Sequence, residues 1–165
     1  MQIISNIIKI MKWKIPPKIK IYEALGCIAD ERIELSGSEA KVYSSSKNKF
    51  YTITYDKDKN AIMSNDNASY WKGELGYPSI AFLMIKEITP YNNNFAEILK
   101  DITWKDINQK FNNNYEKTLN EVKEIVTKRG FSFEELEKEI EKIHTQIIFL
   151  GINLLGEKTK PPEGY

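Results

Sequence analysis

The sequence predicts an α+β fold, a small antiparallel β-meander with one or two helices before it and several after. Three observations carry this. Residues 32–64 hold short β-branched and aromatic runs separated by turn residues. From Pro78 onward, apolar residues recur at helical spacing. Pro16-Pro17 and Gly130 stand where helices would begin and end.

At the start, Ile3, Ile4, Ile7, Ile8 and Met11 repeat with a helical period, although isoleucine at this density also suits a strand. Pro17 is read as the first-turn proline of a helix carrying Ile21, Leu25 and Ile28 and ending near Asp30. A three- or four-stranded meander follows: Arg32 to Leu35, Ala40 to Ser44 and Phe50 to Tyr55, with Ala61 to Ser64 as the strand that could pair back. The turns between them are Ser36-Gly37-Ser38, Ser45 to Asn48, and Asp56 to Asn60. Helices are then expected over Ser79–Glu87, Phe95–Asp101 and Trp104–Phe111, the last capped by Thr103. Another runs from Tyr115 to Arg129 on Leu119, Val122 and Val126. Ser132 with Glu135 forms a capping box for a final helix, which runs towards Leu155 on Leu136, Ile140, Ile143, Ile147, Leu150 and Leu154.

These elements are read as one domain over residues 1–165. It comprises an apolar and basic segment (1–16), a helix with the meander (17–88), a helical region (89–156) and a flexible tail (157–165). Hydrophobic residues make up 41% and charged residues 28%, within globular norms. A single cysteine, Cys27, excludes an internal disulfide framework and fits a reducing compartment, so a cytoplasmic location is expected. The first residues have no basic leader or small-residue cleavage site, and no apolar run reaches the length of a membrane span.

Metal and catalytic patterns are incomplete. Asp56, Asp58 and Asn60 imitate a calcium loop, but its sixth and twelfth positions hold Ala61 and Asn67, so a hairpin turn is expected. Glu141 and His144 have the Glu-x-x-His spacing of di-iron bundles, yet His144 is the only histidine and no second motif exists. Any triad would have to use that same histidine. No phosphate-binding loop or dinucleotide fingerprint is present. No metal site and no cofactor are expected.

Two segments remain as candidate sites. The net charge is only +1, but Lys9, Lys12, Lys14, Lys18 and Lys20 precede the first acid and surround Trp13, a pattern that could grip phosphates while the indole stacks on a base. The second is the polar, aromatic loop from Asn65 to Pro78, with Asn65, Asp66, Asn67, Tyr70, Trp71 and Tyr77 as its candidate contact residues. The bland alternative is a folded connection in which Tyr70 and Trp71 cover the sheet.

The order of strand, hairpin, strand, polar loop and apolar helix over residues 40–88 resembles a SWIM zinc-finger module. It rests on Lys41-Val42-Tyr43-Ser44, Phe50 to Tyr55 and Ile80-Ala81-Phe82-Leu83-Met84. The family's Cys-x-Cys and Cys-x-His positions fall on Met63, Asn65, Tyr77 and Ser79, which do not make a closed zinc site. The resemblance therefore implies a metal-free β-β-α unit with a packed aromatic core, and a role in binding nucleic acid or protein.

The functional expectation is a non-enzymatic binding module for nucleic acid or protein. The alternative is a small enzyme using the carboxylate and amide groups of residues 65–77, centred on Asp66, Asn67 and Tyr70. The apolar end of the last helix, Ile147 to Leu155, suggests a homodimer through that helix. Its competitor is an intrachain cover formed by Ile3 to Met11.

Overall fold

The computed structural model describes residues 10–163. Helix α1 (Ile19–Ala29) is the centre of the fold, with ten of its eleven residues buried. A helix so apolar around its circumference has to be covered on every side. It is packed by α2 (Tyr77–Ile85), α3 (Asn93–Ile98) and α6 (Phe133–Leu150). Two further α-helices follow α3, α4 (Trp104–Lys110) and α5 (Tyr115–Lys128). Pro17 lies just before α1 rather than in its first turn. Its carbonyl accepts from the Lys20 N–H at 3.0 Å, so it helps to start the helix from outside.

The expected meander forms as β1 (Ile33–Ser36), β2 (Glu39–Tyr43), β3 (Phe50–Asp56) and β4 (Ala61–Ser64), each antiparallel to the next. Period-two burial fixes the register: Ala40 and Val42 on β2 face inward with Tyr51 and Ile53 on β3. Asp56 to Asn60 is a turn, in which Asp56 Oδ1 accepts from the Lys59 N–H at 3.1 Å. Asn60 adopts a positive φ of 46° and donates from its side chain to the Leu150 carbonyl at 2.9 Å.

That carbonyl marks a departure from the sequence reading. The last helix stops at Leu150 instead of continuing to Leu155, because Gly151 turns left-handed with φ 54°. The chain then enters the sheet as β5 (Asn153–Leu154), parallel to β4. The sheet is therefore mixed. Ile152 is buried beside it, so the apolar run divides between a helix and a strand. The helix-wide apolar surface expected of a homodimer reduces to Ile148 and Phe149, which are 45% and 85% exposed.

The segment Ile3 to Met11, a helix or a strand by its sequence, lies mostly outside the described residues. Residues 11–14 are extended. Met11 accepts from the Leu154 N–H at 2.7 Å, and the Trp13 N–H donates to Ile152 at 3.1 Å. Trp13, read from the sequence as a stacking side chain, is a core residue. Its indole N–H donates to the Ile62 carbonyl at 2.8 Å, which fixes the first described segment against β4. Among the described residues, no helix is long and apolar enough to cross a membrane.

Trp13→Ala should lower stability by about 3–5 kcal/mol in urea denaturation, the cost of emptying a large core site. A surface stacking residue would cost under about 0.5 kcal/mol, and that result would contradict the burial.

Candidate functional site

Where α1 ends, Glu31 takes a left-handed turn with φ 53° and the chain enters β1. Arg32 occupies the corner and is only 2% exposed. Its N–H donates to Cys27 on α1 at 3.0 Å, and its carbonyl accepts from the Tyr43 N–H at 2.8 Å. The guanidinium Nη1 donates to the Tyr43 carbonyl at 2.7 Å, and the group lies over the Tyr77 ring at 5.7 Å. Asp30 is 3.6 Å from Nε, an ion pair too long for a hydrogen bond, and that buried Nε has no hydrogen-bond partner.

A second charged group sits one layer away. Glu23 is buried on α1, accepting from Asn108 Nδ2 of α4 at 2.8 Å and from Lys20 Nζ at 3.4 Å. Asn108 in turn accepts from the Thr118 hydroxyl at 3.2 Å, so this polar chain ties α1, α4 and α5 together. Lys20 is largely buried as well. Burial works against its charge, but Glu23 and Tyr115 more than offset this and raise its pKa.

The 65–77 loop closes the third side. Asp66 is buried, and its carboxylate accepts from the Ser64 hydroxyl at 2.7 Å, the Ser69 hydroxyl at 2.6 Å and the Ser69 N–H at 3.2 Å. Gly76 passes so close that a Cβ there would lie 2.1 Å from Asp66 Oδ2. This clamp folds Ala68–Lys72 into one π-helical turn. The backbone of Lys14 locks the far end of the loop, donating to Gly73 at 2.9 Å and accepting from Leu75 at 3.2 Å. The turn leaves Trp71 68% exposed, edge-on to Tyr70 with ring centroids 4.7 Å apart. Trp71 therefore does not cover the sheet.

Together these elements enclose a cleft of about 560 Å³, within the range of small-ligand sites. Five cations line it: Lys20, Arg32, Lys49, Lys72 and Lys105. Glu23 and Asp66 are its only carboxylates. Four of the cations rest on tyrosine rings. Arg32 sits over Tyr77, Lys49 is 5.5 Å from the Tyr51 ring centre, and Lys20 and Lys72 lie 5.4 and 5.5 Å from that of Tyr115. Burial pushes the Tyr51 phenol up to about 12, with Asp66 and Glu23 adding to the shift and Arg32 opposing it. Burial likewise holds the Tyr77 phenol well above its ordinary value, against the pull of Arg32. Both phenols are therefore protonated near neutrality and are not ready general bases.

The residues singled out from the sequence are divided by the fold. Asp66, Asn67, Trp71, Tyr77 and Lys20 line the cleft. Asn65 points away, with its side-chain oxygen accepting from the Thr52 N–H at 2.8 Å, and Tyr70 stands behind Trp71. The lysines expected to act with Trp13 do not form one patch. Lys12 pairs through its backbone with Asn153, Lys18 forms an ion pair with Glu141, and Lys9 lies outside the described residues. His144 Nε2 is 3.1 Å from the Pro16 carbonyl, away from the cleft. No group of three or more potential metal ligands occurs among the described residues.

Sequence reasoning missed Glu23, Arg32, Lys49, Tyr51, Lys105, Asn108 and Tyr115. One signal was available: Glu23 interrupts an otherwise apolar helix stripe, where an acid needs a partner. Thr103 is a further correction. Its side chain makes no cap, and the Ser45 hydroxyl, from the loop between β2 and β3, instead accepts from the Lys105 N–H at 3.2 Å. That contact draws Lys49 and Lys105 to the same rim.

A family model described as "Uncharacterised conserved protein UCP014422" matches residues 13–153. The chain belongs to this UCP014422 family. The match begins at Trp13 and ends in β5, so in this family member it takes in every residue of the cleft. No curated protein and no solved structure matches the chain.

Gly76→Ala should destabilise the protein by about 1–3 kcal/mol, because the added methyl overlaps Asp66. Asp66→Ala should remove most of that penalty, so thermal denaturation of both single variants and the double variant should show strong coupling. Simple additivity would contradict the clamp.

Proposed function

We propose that the protein is a non-enzymatic binding module whose cleft takes single-stranded nucleic acid. The supporting observation is the joint lining of one cleft by five cations and by Trp71, the most exposed of the three tryptophans. Lysines attract the phosphate backbone whatever the sequence, and an exposed indole offers a stacking face that every base can use. The implied role of the SWIM-like unit agrees with this reading. So does a cytoplasmic location, where nucleic acid is present and Cys27 stays reduced.

The enzyme alternative has less support. Asp66 has three donors on its carboxylate, Glu23 is shared between Asn108 and Lys20, and His144 is elsewhere. Both carboxylates are engaged in hydrogen bonds that hold the loop and the helices in place.

Tryptophan fluorescence tests the reading, because exposed Trp71 and the buried Trp104 both line the cleft. Oligo(dT) or oligo(U) should quench it, with affinity falling as salt rises, by a log–log slope of about 0.7 per phosphate engaged. Trp71→Ala, followed with a labelled oligomer, should weaken binding by about 1–3 kcal/mol. A combined Lys49→Glu, Lys72→Glu and Lys105→Glu variant should abolish binding, whereas Lys12→Glu with Lys18→Glu should leave it nearly unchanged. Absence of quenching, or loss of binding only in the second pair, would overturn the proposal.

A further inference from the structure

Building on that reading, we propose that the deep end of the cleft is a subsite for the terminal phosphomonoester of a strand or of a free nucleotide. Two observations point there. The first is the unanswered charge. Five cations face Glu23 and Asp66, and Asp30, paired with Arg32, adds a third acid, so two positive charges remain unanswered. Lys20 and Lys72 approach the same Tyr115 ring; Lys20 pairs with Glu23 at 3.4 Å, and Lys72 makes no ion pair among the described residues. The second is Arg32. It is almost wholly buried in the cleft wall, where its guanidinium donates from Nη1 to the Tyr43 carbonyl and its Nε meets Asp30 only at 3.6 Å, beyond hydrogen-bond reach. A buried, unpaired donor on a charged group is costly unless something else satisfies it.

The depth of Arg32 selects the kind of phosphate. An internal phosphodiester carries one negative charge and continues into chain on both sides, so both arms would have to follow it to the cleft wall. A phosphomonoester has one ester bond and three free oxygens. It can enter end-on, and near neutral pH it carries about −1.5 to −2. That charge balances the surplus of two cations. Guanidinium geometry also suits phosphate oxygens, through paired N–H donors.

The test compares three versions of one short labelled oligomer, bearing a 5′-phosphate, a 3′-phosphate or hydroxyls at both ends. One phosphorylated form should bind at least tenfold more tightly than the hydroxyl form. That preference should shrink as pH falls through about 6, where the monoester gains its second proton. Arg32→Met should weaken the preferred phosphorylated oligomer at least tenfold more than it weakens the hydroxyl form. Should that variant not fold, the pH profile of the wild-type protein decides. The matching mononucleotide should compete with the preferred oligomer, and equal potency would show that the subsite serves free nucleotide too. Equal affinity for all three oligomers would overturn the subsite and leave the cleft as a general strand binder. Failure of all three to bind would overturn the parent reading with it.

Discussion

The buried guanidinium of Arg32 constrains much of this structure. A cation taken out of water costs several kcal/mol unless its surroundings compensate. Here the compensation comes from three directions. The Tyr43 carbonyl on β2 accepts a hydrogen bond, Asp30 at the end of α1 supplies opposite charge, and the Tyr77 ring at the start of α2 offers its π-face. Each partner belongs to a different element, so the corner between helix and sheet cannot shift without stranding the charge. The fold holds Arg32 in the cleft wall, with its Nε left without a hydrogen bond.

The rest of the cleft follows the same physical logic at lower cost. Tyr51 and Tyr115 carry lysines as Tyr77 carries Arg32, so ring faces position these cations; Lys20 and Arg32 also have acid partners, Glu23 and Asp30. The acids that are present serve the architecture. Asp66 shapes the loop that projects Trp71 and Lys72, and Glu23 ties α1 to α4 through Asn108. A cleft lined by more cations than acids holds a positive field in place.

Much of the scaffold was legible because it is local. Alternating burial on β2 and β3, the Ser132 cap of α6 and the positive φ of Gly130 after α5 all follow from short stretches of sequence. The failures came where distant residues decide. Trp13 resembled a surface aromatic among lysines, and only the Ile62 carbonyl, 49 residues away, makes it core. The apolar run from Ile147 to Leu155 has one continuous helical stripe, but Gly151 and the free edge of β4 divert it into the sheet. The loop of the candidate site was recognised from its composition. The cations opposite it were not, because Arg32, Lys49 and Lys105 meet only through the α1–β1 corner and the Ser45 cap on α4.

The chain contains only two arginines, Arg32 and Arg129, so its Nε–H groups give two NMR resonances. Arg129 donates to the Ile98 carbonyl at 2.7 Å and does not line the cleft, which makes it an internal reference. Titration of a ¹⁵N-labelled sample with a terminally phosphorylated oligomer should move the Arg32 Nε–H resonance downfield and slow its exchange with water, while leaving Arg129 in place. An Arg32 signal unchanged at saturating oligomer would contradict the claim that this buried cation is held in the cleft for an anion.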